Sequence, residues 1–210
     1  MEFIKKHIKI ISVILCVAIL IGVGLCFAFC SSPAPELDSV RDRFVWLIES
    51  SKEVNEIFFG VGLPVYVKNS LLEDELGIYV GQQNQGYRVM EVSTYFLIDQ
   101  MKSAAEQVYS SDYCSELYET NFDGVIVDGV TVIQYYESGD WVYQSVARDE
   151  LVTAEKIYDS SSMRIVRPSN SDYVRVSIEC YQIDKPDKLL TEELSFVFED
   201  GNWYLDSPTY

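Results

Sequence analysis

The sequence predicts an α+β domain behind an N-terminal transmembrane helix. In the domain, a long amphipathic helix and a helix pair pack on a C-terminal antiparallel meander sheet. Three observations carry this prediction. Residues 10–30 contain no charged side chain. Residues 36–59 place apolar side chains at the 3.6-residue helical period. Residues 173–181 and 193–199 alternate apolar and polar side chains with period two, as strands covering a core on one side do. Helices first and a meander afterwards make an α+β order rather than an alternating parallel-sheet order.

At the N-terminus, residues 1–9 form a short basic stub with Lys5, Lys6 and Lys9. The uncharged run at 10–30 is 21 residues long, which as a helix reaches about 30 Å, the thickness of a bilayer core. Basic residues before the run favour a cytoplasmic N-terminus and an extracytoplasmic body. An uncleaved anchor competes with a cleaved signal and a lipoprotein signal. The run is longer than a secretory core, and its exit, Phe27-Ala28-Phe29-Cys30, lacks a small-x-small cleavage site. Cys30 is the lipidation candidate, although Phe29 before it is not the small residue that lipidation needs. All three readings put the body at the cell envelope, outside the cytoplasm. Residues 31–35, with Pro33 and Pro35, read as an extended linker to one domain at 36–210.

Within that domain, Leu37, Val40, Phe44, Leu47, Ile48, Val54, Ile57 and Phe58 form the stripe of the first helix. Trp46 is expected in the core with them, and Gly60 is placed as a left-handed C-terminal cap. Strands are expected at 63–67 and 87–92, and a second helix at 98–110. Ser111 is taken as the N-cap of a third helix at 112–121. Short strands rich in β-branched and aromatic residues follow at 125–127, 131–136, 141–147 and 155–158. Val174, Val176, Ile178 and Cys180 mark the inner face of one late strand, and Leu194, Phe196 and Phe198 that of the next. Asp200-Gly201 then turns the chain into a final strand at 202–205.

Charge and composition exclude several function classes. The chain has 33 acidic and 16 basic residues, a net charge of −17. Residues 1–30 carry +2, so the other 180 residues carry −19. Nucleic acid phosphates and anionic headgroups would be repelled by such a body, so no nucleic acid partner is expected. The one His is His7, in the stub, so the body lacks imidazole for a nucleophile triad or a His-ligated metal. The Asp-Gly pairs at Asp123, Asp128 and Asp200 do not sit in a calcium-loop pattern and read as turns. No catalytic residue, cofactor or metal ligand is nominated. Of the body's two cysteines, Cys114 and Cys180 would close a loop of about 67 residues as a disulfide, which chain entropy credits with roughly 4 kcal/mol. The alternative is two buried thiols acting as small hydrophobes. Trp141 and Trp203 each open a strand after a turn, and with Tyr204 they are the candidate contacts for a partner or a glycan; the favoured alternative is that both rings plug the ends of the sheet.

The order of elements carries a family resemblance. An aromatic-bearing helix precedes Tyr87-Arg88, a helix pair ends in Val108-Tyr109-Ser110-Ser111, and the chain closes on EELSFVFEDGNWYL. Over about residues 40–205 this layout resembles the IseA-type inhibitors of cell-wall D,L-endopeptidases and their membrane-anchored or lipoprotein relatives from Gram-positive bacteria. The resemblance implies a non-enzymatic α+β protein that covers the active site of a peptidoglycan hydrolase. It carries over no inhibitory residue, and the apolar run at 10–30 departs from a simply secreted inhibitor. The leading expectation is therefore a tethered extracytoplasmic domain that binds a basic protein such as a cell-wall hydrolase. A wall-glycan or peptide module using Trp141, Trp203 and Tyr204 is the second reading, and a carboxylate-dependent hydrolase the third.

Overall fold

The computed structural model describes residues 32–65, 79–80, 85–91, 93–127, 130–145 and 155–210. The basic stub, the apolar run at 10–30 and Cys30 lie outside the described residues. So do the last two residues of the expected strand at 63–67 and the end of the one at 141–147. Among the described residues no helix is long and apolar enough to cross a membrane.

The long helix, α1, spans Leu37–Phe58. Its buried residues are Val40, Phe44, Leu47, Ile48, Ser51, Val54, Ile57 and Phe58, the expected stripe with Ser51 added. Trp46 is not part of it. At 100° per residue its side chain points about 200° away from Phe44, and it is 44% exposed. Gly60 is not the left-handed cap either. That conformation falls at Gly62 (φ 85°), where a Cβ would come within 2.3 Å of Gln144 Oε1. The same Oε1 accepts a hydrogen bond from the backbone N–H of Leu63 at 2.8 Å.

Two four-stranded antiparallel sheets and a two-stranded ladder make up the β-structure of the described residues. The first sheet holds β1 (Tyr79–Val80), β2 (Gln85–Arg88), β6 (Trp141–Ser145) and β5 (Tyr135–Ser138) in the order β1-β2-β6-β5. The ladder is β3 (Val125–Val127) with β4 (Val130–Val132). The expected strand at 131–136 is thus two strands in two sheets. Gln134 is the break: its N–H donates to the Asn121 carbonyl and its carbonyl accepts from Ser145 N–H.

The second sheet is the expected meander, β7 (Lys156–Val166), β8 (Tyr173–Gln182), β9 (Lys185–Glu199) and β10 (Asn202–Leu205), in sequence order. Burial alternates along β8 as read from sequence, with Val174, Val176, Ile178 and Cys180 inside. Strand β7 outruns the expected 155–158 because Asp159 and Ser161–Ser162 form a bulge rather than a stop. There Asp159 Oδ1 accepts from Ser161 N–H at 2.9 Å. Phe198, expected inside, is 41% exposed and lies against the Trp203 ring, centroids 5.2 Å apart. Asp200 (φ 49°) and Gly201 (φ 84°) form the tight turn into β10.

Helix α2 spans Ile98–Glu106 and α3 spans Ser111–Tyr118. The cap of α3 is Ser110, not Ser111: its side chain accepts from Tyr113 N–H at 3.1 Å. Beyond Tyr118 the helix widens into a π-helical turn, Glu119–Asp123. The wider turn brings Phe122 edge-on to Phe58, ring centroids 5.8 Å apart.

Helix α1 touches both β10 and β7, across the inner face of the meander. Phe44 is fully buried there, stacked on Phe196 (3.9 Å, 8°) and edge-on to Trp203 (5.4 Å, 84°). A directional hydrogen-bond relay pins the C-terminal tail to the same helix. Tyr109 donates to Asn55 Oδ1 (2.7 Å), Asn55 Nδ2 to Thr209 Oγ1 (2.8 Å), and Ser51 Oγ to the Ile48 carbonyl (2.7 Å). That leaves Thr209 as the donor in its 2.7 Å bond with Ser51. The relay thereby satisfies the hydroxyls of Ser51, Tyr109 and Thr209.

Truncating the central ring should cost about 3–5 kcal/mol, so Phe44→Ala is expected to lower the chemical-denaturation midpoint sharply. Thr209→Val should cost about 1–3 kcal/mol by leaving Ser51 and Asn55 each short of a partner. A Thr209→Val midpoint equal to wild type would show that the relay contributes nothing.

Candidate functional site

A cleft of about 490 Å³ runs along the flank of α1 that faces away from the meander. Helix α1 contributes Trp46, Ser50, Glu53 and Val54. Their spacing of i, i+4, i+7 and i+8 puts them on one face. The opposite wall comes from Thr94 and Tyr95, from Asp99, Gln100, Ser103 and Ala104 of α2, and from Gln107 and Val108. Its floor is apolar, since Val54, Ala104 and Val108 are buried, while Trp46, Glu53, Thr94, Asp99, Ser103 and Gln107 are exposed at the rim.

The wall is held by local hydrogen bonds. Gln100 Oε1 accepts from the N–H groups of Phe96 and Leu97, both at 3.1 Å, and so caps α2, whose Leu97 lacks a side-chain oxygen. Ser93 Oγ accepts from Tyr95 N–H at 3.3 Å. Tyr95 and Glu53 stand on opposite walls of the cleft. Burial first, and then the interaction with Glu53, raise the Tyr95 phenol above its ordinary pKa.

Trp46 is fixed from outside the cleft. The Arg43 guanidinium lies over its ring at 4.4 Å, and Arg43 is not a lining residue. Arg43 Nε donates to the Trp203 carbonyl at 3.0 Å, and the guanidinium also lies 5.8 Å from the Tyr204 ring. Burial lowers the Arg43 pKa, and the charge interaction with Tyr204 opposes that shift. Among the described residues no Lys or Arg lines the cleft, and neither Glu53 nor Asp99 takes part in an ion pair.

The residues singled out from sequence lie elsewhere. Trp203 is 9% exposed, an inner-face side chain of β10 beside Phe44, so its indole offers no platform to a ligand. Trp141 is at the surface but in the other sheet, with the Arg88 guanidinium 3.3 Å from its ring centre. The two rings therefore do not make one surface. Tyr204 is half-buried and faces Arg43, next to the cleft's supporting contact rather than in the cleft. Cys114 and Cys180 are both buried and both free. Burial pushes the Cys114 thiol up to about 11, so it is protonated at neutral pH and a poor nucleophile. Among the described residues no group of three or more His, Cys, Asp or Glu is placed to hold a metal ion. The cleft itself had a sequence signal: Trp46, Ser50 and Glu53 repeat at helical spacing beside the apolar stripe, as Asp99 and Ser103 do on α2 and Gln107 just beyond it.

A second polar cluster caps α3 and sets a pH dependence. Ser110 Oγ, already the α3 cap, also donates to Asp206, while Glu199 accepts from Ser111 N–H (3.1 Å) and Oγ (3.0 Å). Burial raises the Asp206 pKa, the Ser110 bond opposes this, and the charges of Asp112 and Glu199 add to the rise. A carboxyl with a raised folded pKa binds its proton more tightly when folded. Its charged form therefore destabilises the fold increasingly as pH rises through the folded pKa. Asp206→Asn keeps the acceptor for Ser110, so it should raise the thermal midpoint at pH about 7 and leave it unchanged at pH about 3, below the unfolded pKa. An equal effect at both pH values would contradict this. In comparisons with known proteins, no protein-family model matches the chain and no curated protein matches it.

Proposed function

We propose that this chain is a non-enzymatic binding domain, tethered outside a membrane through residues 10–30, that takes a basic protein of the cell envelope. A cell-wall hydrolase is the partner class that the resemblance to IseA-type inhibitors implies. The observation that carries the reading is the Trp46 cleft. It sets an exposed indole beside charged lining residues, Glu53 and Asp99, that are both acidic. Around it the body holds −19, so a cationic partner is drawn in by the long-range field and met by unpaired carboxylates at contact.

Two further features support the same reading. The chain enters the domain at Ser32, whose carbonyl accepts from Ser171 N–H at 3.2 Å. A span ending at residue 30 would thus keep the domain close to the bilayer surface, where envelope enzymes work. The glycan alternative, as read from Trp141 and Trp203, loses its shared platform because one indole is buried and the other is covered by Arg88.

The test uses the full chain in nanodiscs of zwitterionic lipid, titrated with a basic peptidoglycan hydrolase. Affinity is expected to fall at least about tenfold between about 0.05 M and about 0.5 M salt, because screening shortens the reach of the field. Incubated alone with peptidoglycan, the chain should release no product. Salt-independent binding, no binding, or product release would each sink the proposal.

A further inference from the structure

We propose that the Trp46 cleft holds an arginine side chain of the partner, with its guanidinium flat on the free part of the indole and its N–H groups on Glu53 and Asp99. This rests on the reading above and names the group that the cleft recognises. The molecule already displays half of the arrangement: Arg43 lies over the same indole at 4.4 Å. The stacked Arg43 weakens the ring's pull on a second cation, so neighbouring carboxylates must supply the compensating charge. Glu53 and Asp99 supply that compensation, and no lining cation competes for them.

Three arguments select arginine over lysine. A guanidinium is planar and weakly hydrated, so it stacks on an indole at a smaller desolvation cost than an ammonium. It offers five donors, enough for two carboxylates and for side-chain oxygens such as that of Ser50 or Ser103. It also presents paired N–H groups to a carboxylate, the stronger geometry. The platform is preorganised for this. Arg43 is anchored on the Trp203 carbonyl and lies over the Trp46 ring, so the indole wall need not be ordered when the ligand arrives. At about 490 Å³ the cleft exceeds one side chain, which leaves room for the adjoining backbone of a short segment.

The probes are three blocked pentapeptides, Gly-Gly-X-Gly-Gly, where X is arginine, lysine or citrulline, the neutral isostere of arginine. They are titrated into the full chain in zwitterionic nanodiscs, and the indole ¹⁵N–¹H resonances of Trp46, Trp141 and Trp203 are followed. The arginine peptide should shift Trp46 saturably while Trp141 and Trp203 stay in place. The lysine peptide should bind about tenfold more weakly and the citrulline peptide should not bind. Glu53→Gln and Asp99→Asn should each weaken the arginine peptide about tenfold, with the Trp141 and Trp203 resonances reporting that the fold is intact. Equal affinity for arginine and citrulline, shifts at Trp141 or Trp203 instead of Trp46, or no effect of either carboxamide variant would overturn the inference. So would a muropeptide that shifts Trp46 when no peptide does. If the arginine peptide fails while a basic hydrolase still binds in a salt-sensitive way, this inference alone is lost; if neither binds, the broader reading falls with it.

Discussion

The structure depends on where Phe44 sits. Stacked on Phe196 and set edge-on to Trp203, with no exposure, it fixes the rotation of α1 about its own axis. That rotation decides everything else the helix presents. Once Phe44, Leu47, Ile48, Val54 and Ile57 face inward, the helical period sends Trp46, Ser50 and Glu53 to the flank toward α2. The core contact and the cleft are two consequences of one helical register. The tail relay through Thr209 and the Arg43 bond to the Trp203 carbonyl hold that register from two sides.

The cleft combines features that seldom coincide by solubility alone. Acidic residues scattered over a surface keep a domain monomeric and soluble. Here two of them share a cleft with a large exposed ring, and the ring is held by the Arg43 guanidinium. An exposed indole supplies apolar area and an electron-rich face, and neighbouring carboxylates supply charge, which together suit a cationic group better than a neutral one. The body's net charge acts at longer range, raising encounter rates without specifying a contact.

Much of the fold was legible in the sequence because period and turn chemistry are local. The alternation of Val174, Val176, Ile178 and Cys180 marked β8 and its inner face, and Asp200-Gly201 marked the last hairpin. Features set by tertiary contact were not legible. The start of β9 has no alternation because both of its faces are exposed, so only its pairing to β8 identifies it as strand. The split at Gln134 depends on partners 13 residues before it and 11 after it, Asn121 and Ser145. Of the site, Trp46 was misplaced by hydrophobicity: an indole inside an apolar segment reads as core, while its angular position, computable from sequence, reads as flank. For Trp203 the sequence left contact and sheet plug both open, since opening a strand after a turn says nothing about which face the side chain takes, and the ring is a plug.

The most direct test of the central claim, that a basic partner is received on the α1 flank, is a hydrogen-exchange footprint of the full chain with and without a bound basic hydrolase. Slowed exchange confined to the segments around 46–54 and 94–107 is the predicted outcome. Protection centred on the exposed β8–β9 hairpin or on the sheet that carries Trp141, with the α1 flank unchanged, would contradict it.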